Sequence, residues 1–223
     1  HLFMIYCIHH CTGSGGMFLL KVFSEVLGLE CQFTMDKDLG HYHNAGLGSW
    51  INPHYEICNL GNYNFTYHKN AKLYYTHDHE ILKNVIADHP KIKVVLIRHD
   101  EDDHASITKQ AMAKAWPTLW TKKEYDRWAS TGADLPPYHK DNLKDPKVYK
   151  MLHEQLNLLT IEWYQNLDHG CVSDHIDYKT VMGLDGNDLS EKIHKITGLN
   201  VEPAIKQMIA DYQIKNKELY FNG

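Results

Sequence analysis

The segment Thr12-Gly-Ser-Gly-Gly-Met-Phe18 has the residue types and placement of an anion cradle. It follows an apolar run at residues 2–8 and opens an amphipathic run that reaches Leu27. A strand, a glycine turn and a helix together offer free backbone N–H groups to a phosphate or sulfate. The positive end of the helix dipole faces the same point. The turn lacks the Gly-Lys-[Ser/Thr] ending of a nucleotide P-loop, so its ligand depends on what the rest of the chain supplies. Two other polar constellations follow apolar runs: Tyr75-Thr-His-Asp-His79 and Arg98-His-Asp-Glu-Asp-Asp-His-Ala-Ser106. Parallel α/β sheets bind ligands at the carboxyl ends of their strands. Parallel packing would bring all three segments to one edge.

The chemistry these residues suit is transfer of an anionic group. The amides of Gly13, Ser14, Gly15 and Gly16 can hold a leaving phosphate, with Thr12 and Met17 beside them. An acceptor hydroxyl needs a base as it attacks, and His77 titrates in the useful range. Arg98 can grip a terminal phosphate with two parallel hydrogen bonds, and Ser106 can add a third. A rival chemistry uses the same strand ends. His77, Asp78, His79, His99, Asp100, Asp102, Asp103 and His104 carry donors that a divalent metal accepts, which suits a metal-dependent hydrolase. Their spacing matches no specific ligand motif such as His-Glu-x-x-His. The pairs His9-His10 and His41-Tyr-His43 read as substrate-loop or solvated residues.

Elements that position these residues can be read from periodicity. Residues 2–8 form a short buried strand, and Phe18, Leu19, Val22, Phe23, Val26 and Leu27 stripe a helix closed by Gly28. Residues 31–70, rich in Gly, Asn, His and Tyr, form an insertion of loop or short irregular strand. Residues 72–76 and 92–97 are strands, with a helix around Ile81, Leu82, Val85 and Ile86 between them. Residues 105–115 form a helix that stops before Pro117. A short helix over 122–129 and a polar loop over 131–146 follow. Residues 148–164 form a long helix with Leu152, Leu156, Leu159 and Trp163 on one face. Residues 176–182 read as a strand, and 188–196 as a helix capped by Asp188 and Glu191 and closed by Gly198. Ile205, Met208, Ile209, Tyr212 and Leu219 stripe the last helix. Strands alternating with helices imply an α/β fold, three layers with a mainly parallel sheet.

Composition narrows the classes. The 223 residues suit a single domain with a large core. A formal charge of −5 leaves no basic footprint for nucleic acid. No run is long and apolar enough to span a membrane, and no secretory signal is evident, so a cytoplasmic protein is expected. Five cysteines without a Cys-x-x-Cys suggest neither a disulfide framework nor a zinc knuckle.

The order and spacing of the three segments resemble the sulfotransferase superfamily, enzymes that use the donor 3′-phosphoadenosine-5′-phosphosulfate (PAPS). Ser14-Gly-Gly-Met-Phe18 is similar to the family loop Lys-Ser-Gly-Thr-Thr-Trp, which wraps the 5′-phosphosulfate. Tyr75-Thr-His77 stands where many members carry Lys-Thr-His, whose His is the catalytic base. Arg98 and Ser106 keep the eight-residue spacing of the family pair that holds the 3′-phosphate. The resemblance covers roughly residues 2–110. It implies a P-loop NTPase-like fold, PAPS as donor, 3′-phosphoadenosine-5′-phosphate (PAP) as product, and no metal. Phe18 would then stack on adenine, as the family Trp does. Residues 1–110 would be the donor core. The insertion at 31–70 and the mostly helical region 111–223 would shape a pocket for a small-molecule or glycan acceptor. The chain departs from the family at Gly13, where members have Lys, at Tyr75, also Lys in members, and in lacking the distal Arg-Lys-Gly segment. Lys21, Lys72 or a histidine would have to replace the loop cation. A module that binds the anion without transferring it is the second reading these departures allow.

Overall fold

The computed structural model describes residues 4–31, 33–36, 40–44, 56–60, 71–119 and 146–221. Five strands form one sheet: β1 (Tyr6–His9), β4 (Ile57–Asn59), β5 (Leu73–Thr76), β6 (Lys93–Arg98) and β7 (Asp174–Asp177). Their spatial order is β4-β5-β1-β6-β7, and every neighbouring pair is parallel. A separate antiparallel pair, β2 (Phe33–Asp36) and β3 (His41–Asn44), lies in the insertion.

Alternation along the strands sorts side chains onto two faces. Tyr6, Ile8, Leu73, Tyr75, Val95, Ile97 and Ile176 enter one core. Helix α1 (Gly16–Val26) packs there through Phe18, Leu19, Val22 and Phe23. Helices α5 (Tyr178–Met182), α6 (Leu189–Thr197) and α7 (Pro203–Asn216) join it. Cys7, Cys58, Tyr74 and Val94 enter a second core, covered by Leu82 and Val85 of α2 (His79–Asp88). The arrangement is consistent with three layers, α/β/α. Because α1 and α2 cover opposite faces, the chain reverses its direction across the sheet beside β1. A crevice opens at such a reversal, at the carboxyl ends of the strands.

Asp78 caps α2, its Oδ1 accepting from the N–H groups of Glu80 (2.8 Å) and Ile81 (3.0 Å). Gly198 closes α6 in the left-handed region at φ 72°. All five cysteines are free thiols. Among the described residues no helix is long and apolar enough to cross a membrane.

Several expected boundaries move. Helix α3 (His104–Leu119) runs through Pro117, which lies in its last turn and removes only one hydrogen bond there. Helix α4 spans Pro146–Gln165, but its expected apolar stripe is broken, since Leu159 is exposed. The run 176–182 is not one strand. Strand β7 ends at Asp177, and Tyr178, Val181 and Met182 are buried along the short helix α5. Part of the insertion is regular, with β4 forming an edge of the main sheet. The expected helix at 122–129, most of the loop at 131–146 and Trp50 lie outside the described residues.

Candidate functional site

The glycine turn leaves β1 at the centre of the sheet and enters α1 at Gly16. Gly13 has φ 91° and lies against α3. A Cβ there would collide with the carbonyl oxygen of Ile107 and come within 2.9 Å of Ala111 Cβ. Gly15 is the N-cap of α1 at φ 88°, with no side-chain cap. Ser14 is buried and turns inward, its hydroxyl donating to the Cys11 carbonyl at 2.7 Å. Its own N–H donates to the same oxygen at 3.1 Å. Leu19 N–H donates to Gly15 O, so the N–H groups of Gly16, Met17 and Phe18 precede the helix's own hydrogen bonds. Thr12 is exposed and Met17 half-buried at this end.

Phe18 corrects an expectation. Its ring is 1% exposed and stacks on Tyr212, centroids 3.6 Å apart and planes 6° apart. Tyr42 lies 5.9 Å away. The ring fills the core between α1 and α7 and is not open to an adenine.

Histidines fill the edge around the turn. His9 and His10 are buried, not solvated, because they end the central strand. The His10 ring lies against Gly16, which leaves no room for a Cβ there. His10 Nδ1 donates to Cys11 O at 2.8 Å, while its Nε2 is buried without a partner. His77, at the end of β5, has its ring 6.1 Å from that of His10. The structure therefore links His77 to the turn through His10 and Gly16. Burial lowers the His77 pKa, so its imidazole is neutral and able to accept a proton. Burial, with the adjacent His77, lowers His10 to about 3.

A three-bond chain runs beside them. His9 Nδ1 meets Thr76 O at 2.9 Å, His9 Nε2 meets His79 Nδ1 at 3.0 Å, and His79 Nε2 meets Trp163 O at 2.9 Å. Carbonyls only accept, so both ends require N–H donors, and the central contact requires one proton more. Three ring protons on two imidazoles give the pair one net positive charge when all three bonds are made. Burial, then the neighbouring His79, lowers His9 to about 3. Trp163 of α4 also donates from Nε1 to His77 O at 2.6 Å. Its rings and these histidines explain how α4 is held over the edge.

Arg98 and Ser106 sit farther along the edge. Arg98 Nε donates to Asp177 Oδ1 at 2.6 Å, and the side chain is 44% exposed. Its two terminal amino groups have no partner among the described residues. Ser106 is half-buried near the start of α3. The acidic run turns toward Lys179, whose Nζ lies 3.6 Å from Asp103 and 3.9 Å from Asp100. Asp103 Oδ2 also accepts from the Asp100 N–H at 2.9 Å. Of the cations named as substitutes for the loop lysine, Lys21 pairs with Glu25 and Lys72 with Glu56.

Among the described residues no three His, Cys, Asp or Glu side chains gather around a metal-sized position. The sequence singled out His77, His79, His99 and His104 but gave no means to pair His79 with His9. That pairing depends on the parallel register that sets His9 opposite Thr76. Comparison with family models, with curated proteins and with solved structures finds no match to this chain.

Proposed function

We propose that the protein is a sulfotransferase-like enzyme that moves a sulfuryl group from PAPS to an acceptor hydroxyl or amine. One observation carries the reading: the glycine turn leaves the central parallel strand at the chain reversal and presents the unclaimed N–H groups of Gly16 and Met17 at the start of α1. The 5′-phosphosulfate would lie on that turn. The 3′-phosphate would take the terminal amino groups of Arg98 and the Ser106 hydroxyl. The Asp177 carboxylate offsets part of the Arg98 charge, so the bidentate geometry has to supply the selectivity.

In the reaction the acceptor oxygen forms a bond to sulfur as the bond from sulfur to the phosphate oxygen breaks. The acceptor proton passes to the neutral His77 imidazole, and PAP leaves. Little covalent help is needed, so positioning and charge stabilisation do most of the work, as in phosphoryl transfer. The Gly13 departure favours one other reading, a PAP-binding module without transfer. Incubation with sulfur-labelled PAPS and a panel of hydroxyl and amine acceptors separates the two. Label transfer that falls about a hundredfold or more in His77→Ala, with PAP binding kept, supports the enzyme. PAP binding with no transfer to any acceptor supports the module.

A further inference from the structure

Beside the proposed donor site lies a cavity of about 240 Å³ between the start of α3 and the end of α4. His99, Glu101, His104, Ile161, Tyr164 and Gln165 are among the residues that line it. A neighbouring hollow of about 340 Å³ shares Glu101, His104 and Ile161. His99 is 1% and His104 7% exposed, and their rings stand 4.9 Å apart edge to face. Both ring nitrogens of His99 and Nε2 of His104 are buried without a hydrogen-bond partner. A buried nitrogen left unpaired is destabilising, and native structures keep few of them. Both residues line the same cavity, and such unpaired nitrogens point to a partner that arrives from outside.

The charge around the cavity says what kind of partner. Glu101 is exposed and has no ion-pair partner among the described residues. Asp100 and Asp103 share the single cation Lys179. Arg98 is held by Asp177. The mouth is therefore net negative. Burial, then the neighbouring His104, lowers the His99 pKa to about 4. A neutral imidazole presents a lone pair to a hydrogen-bond donor. The Tyr164 ring, 4.6 Å from His99, adds an aromatic surface suited to a cation.

We propose that this cavity binds the ammonium group of a small amino alcohol, with one imidazole nitrogen each of His99 and His104 accepting its N–H bonds and Glu101 balancing its charge. An ammonium nitrogen has no lone pair for attack. The nucleophile is therefore a hydroxyl elsewhere on the same molecule. That acceptor role rests on the sulfuryl-transfer reading; the binding itself does not. His99 stands 6.1 Å from the Trp163 ring, which lies 5.0 Å from His9 at the end of β1, so the cavity adjoins the catalytic edge.

The test titrates the full chain with ethanolamine and glucosamine, and with ethylene glycol, glucose and glycolate as neutral and anionic controls. It follows the histidine imidazole signals by NMR. The two amines are expected to shift the His99 and His104 signals at millimolar concentration, and the controls are not. Glu101→Gln, an exposed change that spares the core, is expected to weaken amine binding about tenfold. Absence of a shift at either histidine up to about 20 mM amine, near the weakest affinity such contacts give, overturns the proposal. So does equal binding of the neutral or anionic controls, or an unchanged affinity in Glu101→Gln. Amine binding in a protein that fails to bind PAP would sink the sulfuryl-transfer reading and leave this site standing.

Discussion

At the residue scale, each glycine of the turn answers to a different neighbour. Gly13 serves the approach of α3, and Gly16 the ring of His10. Gly13→Ala has to hold Ala at φ 91° and push Ile107 away. It is expected to cost about 2–5 kcal/mol, read as a lower midpoint in urea with an unchanged slope. An unperturbed midpoint would mean that α3 does not close on the turn. Single residues also show how far the sequence could be read. His77 and Arg98 were legible because each follows an apolar run that ends a strand. Phe18 is expected to face adenine only through the family resemblance, whereas its place in the helical stripe already fits the core, where Tyr212, remote in sequence, packs against it. Nothing in the chain near His9 signals its bond to His79.

At the element scale, β6 was plain from its β-branched run and α2 from its stripe. Strand β7 and the short helix α5 follow each other with no glycine or proline between them, so residues 176–182 read as one strand. The boundary at Asp177 is set by pairing with Arg98 across the sheet, a contact between residues far apart in sequence. Helix α4 could be placed along the chain but not in space. It sits on the strand ends through Trp163, which donates to His77 O and accepts from His79. Trp163→Phe keeps the ring and removes the indole donor. It is expected to lower stability by about 1–2 kcal/mol in urea denaturation. PAP affinity is expected to be unchanged, because the bond from His79 goes to the Trp163 backbone carbonyl, which the substitution keeps. A loss of PAP affinity would show that α4 also shapes the donor site.

For the molecule as a whole, burying neutral histidines along one edge links stability to pH. His9 and His10 are held to about 3 and His99 to about 4, against about 6.5 in the unfolded chain. Between these values the unfolded chain binds more protons, so unfolding takes up protons and stability rises with pH. The full contribution is present above about pH 6.5 and is lost as pH falls toward 4 and then 3. Thermal melts are expected to be level from pH 8 to 7 and to fall steeply by pH 5. A melting temperature that stays flat down to pH 5 would contradict burial of these rings. On the same edge, the glycine turn and Arg98 together are proposed to hold the two ends of PAP. Calorimetric titration of the wild-type chain and of Arg98→Ala with PAP tests it most directly. Saturable one-to-one binding is expected, weakened at least tenfold, about 1.4 kcal/mol, in the variant. No heat of binding in the wild type, or equal affinity in the two proteins, would contradict it.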